Sequence, residues 1–157
     1  MSKKKHHKRS HARRFDLAED TPVQDRYERN ARVLRVVDGD TLELIVDQGF
    51  GSYYQGKFRL AGVNTPEKYG VKKESEEYKA GVAASTYAEE WLDLNAEAKV
   101  IQSPTGPVTH MNIVIRSFDA GRGKYGRWIC SVHPAGGEGE SLNQALVRTG
   151  HAVEIEY

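Results

Sequence analysis

From Arg32 to Val63 the chain runs with the two-residue period of strands. Arg32–Val37 is a short apolar-rich run that ends at Asp38-Gly39, a pair favoured in tight hairpins. Thr41–Val46 then alternates, with Leu42, Leu44 and Val46 on one face. Asp40 shares their parity and so points the same way at the strand's mouth. Gln48–Ser52 is a glycine-containing loop, and Tyr53–Val63 reads as a third strand stopped by Pro66. The period then changes. Lys72–Leu94 has helical spacing, with a stripe of Ala84, Ala88, Trp91 and Leu92 that Tyr87 and Leu94 overlap. Gly81 weakens this helix slightly. Lys99–Gln102 and Val108–Phe118 return to strand patterning on either side of Pro104-Thr105-Gly106-Pro107. Ala120–Gly126 is a glycine-rich basic turn, Arg127–Val132 a further strand, and Pro134–Gly139 a loop. Ser141-Leu142-Asn143-Gln144 fits a capping box and Gly150 a helix stop, with His151–Tyr157 extended beyond it.

About five strands, one helix inserted midway and one after the last strand predict an α+β, mostly β domain. The expected architecture is a five-stranded barrel of the oligonucleotide-binding type with an inserted helix and a C-terminal helix. Alternation by itself suits a sandwich equally well. A chain of 157 residues is most simply one domain. No apolar run approaches a membrane span, so no membrane partner is expected, and the domain is expected to be a monomer. A basic N-terminus with no apolar stretch behind it shows no secretory signal, which points to an intracellular site unless the chain is a processed form. The single cysteine, Cys130, excludes an internal disulfide and sits in a strand-like run as core filler.

The net charge of +1 hides an asymmetry. Residues 1–14 hold seven Lys or Arg, three His and no acid, leaving 16 basic against 22 acidic residues elsewhere, a net of −6. That tail lacks the apolar content to fold and is expected to be disordered. It suits contact with a polyanion's phosphates, or it only aids solubility. Residues 15–30 read as a linker, broken by Thr21-Pro22. The expected division is a basic tail and linker over 1–30 and a folded domain over 31–157.

Three short motifs carry the chemistry. They are Asp38-Gly39-Asp40-Thr41, Arg59-Leu60-Ala61-Gly62-Val63-Asn64-Thr65-Pro66-Glu67, and Lys124-Tyr125-Gly126-Arg127. Together they hold acidic and amide oxygens for a hard cation, a carboxylate able to act as a base, and two arginines. Attack on a phosphodiester needs that equipment, because the transition state is anionic and water must be made a nucleophile. Each residue also has a plainer reading. Asp38 and Asp40 suit a turn, Arg59 an outward strand position, Glu67 a helix entry, Arg127 a strand start, Lys124 a solvated turn. Tyr125 either stacks on a base or packs on the barrel. Arg59 lies among Phe58, Leu60, Ala61 and Val63, where a charge wants a counter-charge or an anionic ligand. His110, His133 and His151 lack ligand spacing, and Gly121-x-Gly123 lacks the strand-to-helix setting of a phosphate loop.

In order and spacing these motifs, with the helix between them and the Ala145-Leu146-Val147-Arg148-x-Gly150 ending, resemble the staphylococcal nuclease (thermonuclease) family from about Arg32 to Tyr157. The resemblance implies a barrel with helices that hydrolyses DNA and RNA with Ca²⁺ and leaves a 3′-phosphate. It implies that Asp40, Asn64 and the Thr65 carbonyl hold the ion, with Asp38 behind them. Arg59 and Arg127 hold the phosphate, Glu67 is the general base, and Lys124 and Tyr125 lie near the bound nucleotide. The chain departs from the family at Asn64, where Asp is usual. An amide oxygen still binds a cation, but one charge is lost and affinity falls. An intracellular setting, where Ca²⁺ is scarce, favours Mg²⁺ or Mn²⁺. The loss at Asn64 also leaves room for a catalytically weak or inactive nucleic-acid-binding barrel. The chain stops at Tyr157, short of the family's third helix.

Overall fold

A computed structural model describes residues 27–122 and 126–156, with 118–122 in backbone alone. The predicted tail and part of the linker lie outside the described residues. So do Lys124 and Tyr125, the two residues expected near a bound nucleotide.

Five strands close a ring. β1 (Glu28–Asp38), β2 (Thr41–Gly49) and β3 (Ser52–Leu60) form an antiparallel meander. β6 (Gly106–Arg122) and β7 (Trp128–His133) pair antiparallel, and β7 runs parallel to β3. Pairing of β1 with β6 completes the barrel, so the barrel and not the sandwich is the outcome. β5 (Glu97–Ser103) extends β6 as an outer hairpin strand. β1 starts before the expected boundary near Ala31 because Glu28 pairs across to Arg116, a contact that only closure provides.

The expected third strand is two pieces. β3 ends at Leu60, Gly62 takes φ +70, and β4 (Val63–Asn64) turns away to pair with β8 (Val153–Glu154) near the C-terminus. The inward faces of β2, β3, β6 and β7 supply Leu42, Leu44, Leu60, Ile113, Ile115 and Val132, each essentially fully buried. Burying a side chain of this kind contributes roughly 1.5–3 kcal/mol.

Two helices close one end. α1 (Glu76–Asn95) starts later than its pattern suggests, since Ser75 caps it, its Oγ accepting from Tyr78 N at 3.1 Å. Gly81, Ala84, Ser85, Ala88, Trp91 and Leu92 are its buried face. Leu94 is not on that face and is 85% exposed. α2 (Leu142–Arg148) carries the predicted capping box, and Leu142, Ala145 and Leu146 join the same core. Buried Asn143 ties α2 to the barrel, donating to Ala61 O at 2.9 Å and accepting from Val132 N at 3.0 Å. Cys130 is buried in the core, and burial pushes its thiol up to about 12, which leaves it inert.

Candidate active site

The Asp38-Gly39-Asp40 turn joins β1 to β2 and lies under α1. Asp38 pairs with Thr41 across it, and Asp38 Oδ1 accepts from Asp40 N at 3.1 Å. Gly39 is required by space rather than by dihedral angle. A Cβ there would lie 2.7 Å from Ala84 Cβ on α1 and 2.9 Å from Thr65 Cγ2. Gly81 of α1 is needed for the same reason, since its Cβ would meet Glu67 O at 2.7 Å and Pro66 O at 2.9 Å. The weak point that glycine makes in a helix is therefore the place where the Thr65-Pro66-Glu67 loop rests on it.

This close packing gathers the charged groups. Asp40 is 6% exposed. Its Oδ2 accepts from Arg59 Nη1 at 2.5 Å and from Thr65 N at 3.0 Å. Arg59 lies directly across the ladder from Thr41. Its other terminal nitrogen, Nη2, donates to Asn64 Oδ1 and Val63 O, both at 3.0 Å. Arg59 thus finds the counter-charge its apolar strand demands, and one guanidinium spans the two side chains expected to bind a metal. Arg127, just before β7, donates from Nη1 to Thr41 Oγ1 at 3.0 Å, and Thr41 Oγ1 donates to Asp40 Oδ1 at 3.1 Å. One continuous chain of contacts therefore links Arg127, Thr41, Asp40, Arg59 and Asn64.

The two aspartates are electrostatically unlike. Burial, then the bond and charge of Asp40, push the Asp38 carboxyl up to about 6. Burial pushes Asp40 up as well, but bonds from Asp38, the Arg59 guanidinium and the Thr65 N–H outweigh it. Asp40 ends below the usual carboxylate range. The pair therefore divides into a held anion beside the arginine and a carboxyl that keeps its proton to higher pH.

The structure brings Asp38, Asp40, Arg59, Asn64, Thr65 and Arg127 together. Glu67 sits two residues beyond Thr65 with an exposed side chain. In the sequence Thr41 stands out only as part of a motif. Its bridging hydroxyl is a contact that no spacing signals. The three unassigned histidines take structural or peripheral places. His133 is buried with its Nε2 2.7 Å from Ser131 Oγ, and His151 stacks on Tyr87 at 4.6 Å.

The donors suit a hard cation in kind, because the Asp40 and Asn64 side-chain oxygens already converge on one positive group. In number they are few. Among the described residues no three His, Cys, Asp or Glu side chains come together in metal-holding geometry.

The family model described as staphylococcal nuclease homologue matches residues 57–157, nearly two thirds of the chain. The chain belongs to the staphylococcal nuclease family. A search of curated proteins finds no match. Membership gives a domain of nuclease type or nucleic-acid-binding type. The matched span includes Arg59, Asn64, Thr65, Glu67 and Arg127. Asp38 and Asp40 precede it. Among the described residues no helix is long and apolar enough to cross a membrane.

Proposed function

We propose that this protein is a metal-dependent nuclease that hydrolyses phosphodiester bonds of DNA and RNA with little sequence preference. The observation that carries this reading is the linked set of Arg127, Thr41, Asp40, Arg59 and Asn64 at one end of the β2–β3 ladder. It gathers two guanidinium groups and two oxygen donors, and a structural ion pair needs only one of each.

Arg59 and Arg127 bind the scissile phosphate and stabilise charge as it grows on the non-bridging oxygens. The planar fork of arginine suits that task and lysine does not. Asp40 and Asn64, with the Thr65 carbonyl, would hold a divalent ion, most simply Ca²⁺, with Mg²⁺ or Mn²⁺ as substitutes. The ion would add positive charge at the phosphate. Asp38, bonded to the Asp40 backbone, orients Asp40. Glu67, exposed beside the loop that holds Thr65, takes the proton from the attacking water. Arg59 gives up its bonds to Asp40 and Asn64 in exchange for the phosphate, so substrate binding frees the oxygens as it engages the guanidinium. Recognition of the backbone alone carries no base information.

Asn64 supports a second reading, a barrel that binds nucleic acid without cutting it. The test is digestion of circular DNA and of RNA in chelator, Ca²⁺, Mg²⁺ or Mn²⁺, beside Glu67→Ala. Metal-dependent cutting of circles that collapses in Glu67→Ala supports the nuclease. Salt-sensitive binding with no cutting in any metal leaves the binding barrel.

A further inference from the structure

Among the described residues β5 is the last strand of its sheet, paired with β6 on one side only. β1 meets β6 only from Met111 onward, so Gly106–His110 and the part of β5 facing it stand clear of the barrel. None of the seven residues of β5 is buried. Val100 is 64% exposed, and Ile101 and Val108 lie open beside it. A strand edge of this kind is a row of unpaired N–H and C=O groups that can template a further strand.

The projecting hairpin has two such edges, and they differ. On β6 the open edge carries Pro107, which has no N–H to offer. β5 contains neither proline nor glycine. Pro107 stands opposite Gln102. With no N–H to give across the ladder, it fits a pair that exchanges no backbone bonds. By the alternation of an antiparallel ladder, Ala98, Val100 and Gln102 then turn their N–H and C=O groups to the open side of β5. Their side chains share one face with Met111, Thr109 and Pro107 across from them, and that face holds no charge.

We infer that β5 pairs with β5 of a second copy of this chain, antiparallel, about a two-fold axis at Val100. In that register Val100 faces Val100 and Ala98 faces Gln102, so each of the three open residues gains a donor and an acceptor. On the other face Lys99 comes opposite Ile101 of the second copy and Glu97 opposite Ser103, so no like charges stand directly opposed. The aliphatic stem of Lys99 covers that Ile101 while its ammonium stays in water. Neighbouring registers are worse. An axis at Lys99 sets two lysines against each other, and an axis at Ile101 sets Ala98 against Pro104, which cannot donate. Glu97 and Lys99, one of each sign, are the only charged residues of β5, so the two strands meet without net repulsion. A two-fold pairing uses the edge once on each copy and closes at two. The contact is small, so the dimer forms reversibly. It replaces the expected monomer and does not depend on the nuclease reading.

Sedimentation velocity of the full chain from micromolar to millimolar concentration tests this. The sedimenting mass is expected to double reversibly as concentration rises. Val100→Lys and Val100→Glu are each expected to weaken the dimer by at least about tenfold, because each sets like charges on the axis. An equal mixture of the two is expected to recover it, which also shows that both variants fold. Amide hydrogen exchange of the wild type needs no variant. Ala98, Val100 and Gln102 are expected to slow as the protein is concentrated, while Lys99 and Ile101, turned toward β6, stay unchanged. A wild type that keeps the monomer mass throughout overturns the pairing. So does a dimer that both variants leave intact, a mixture that stays monomeric, or exchange at Ala98, Val100 and Gln102 that ignores concentration.

Discussion

β2 begins and ends in a turn built around glycine, and the two turns have opposite physics. At Asp38-Gly39-Asp40 the glycine is buried and its neighbours leave no room for a Cβ. At Gly49-Phe50-Gly51 all three residues have positive φ, +83, +56 and +72, and a Cβ on either glycine would meet open space. Phe50 is fully exposed there despite its size and its left-handed backbone. One turn is fixed from outside by α1 and the Thr65 loop. The other is fixed by its own dihedral angles, by pairing of Gly49 with Ser52, and by local bonds from Gly49 N to Asp47 Oδ1 at 2.9 Å and from Ser52 Oγ to Gln48 Oε1 at 3.1 Å. A charged group can be aimed to within tenths of an ångström only at the first. That is where the carboxylates and arginines collect.

The largest effect expected at the fixed turn is chemical. Arg127→Ala should lower the cleavage rate on the order of 10²–10³-fold, the usual cost of losing a charge-stabilising donor. Single-turnover kinetics with saturating protein would measure it.

Gly39→Ala comes next. It overpacks the contact with Ala84 and Thr65 and should cost about 1–3 kcal/mol of stability, with a parallel fall in activity as Asp40 is displaced. Gly49→Ala should cost about 1–2 kcal/mol through φ alone and leave activity unchanged. Denaturant melts beside rate measurements separate the two outcomes. Equal activity losses would erase the distinction between the turns.

Asn64→Asp restores a carboxylate beside Asp40 and Arg59. It should tighten Ca²⁺ binding by about tenfold or more, since one added charge near a divalent ion contributes more than ~1 kcal/mol. Calorimetric titration of both proteins with Ca²⁺ tests this, and an unchanged affinity would remove Asn64 from the ion's neighbourhood.

The Asp38 carboxyl sets a pH dependence with a definite sign. Its folded value of about 6 lies above the ordinary 3.8. The folded state thus holds the extra proton between those values, and in chelator stability should fall as pH rises from about 4 to about 6, then level off. Asp38→Asn should flatten that slope in thermal melts across the window. The smallest effect belongs to the far turn. Phe50→Gly relieves a left-handed side chain and should raise stability by about 1 kcal/mol, with no change in cleavage.

Much of the site was legible because its residues sit close together in sequence. The parity that aligns Asp40 with Leu42 and Leu44 survives in the barrel. The apolar surroundings of Arg59 correctly demanded a counter-charge. Contacts between distant segments were not legible. The reach of Arg127 to Thr41, the pairing of Glu28 with Arg116 and the pressure of α1 on Gly39 and Glu67 depend on how the strands close and how the helix packs on them, which leaves no periodic trace. The split of β3 from β4 was hidden because Val63 continues the apolar run while Gly62 changes its direction. Gly81 read as a local weakness, since its reason lies in another segment's backbone.

The most direct test is the cleavage of circular DNA with Ca²⁺ by wild type, Arg127→Ala, Gly39→Ala, Gly49→Ala and Phe50→Gly side by side. Metal-dependent cutting is expected to be lost in Arg127→Ala, reduced in Gly39→Ala and intact in the two variants of the far turn. Cutting that survives in Arg127→Ala, or that fails in Phe50→Gly while the protein remains folded, would contradict it.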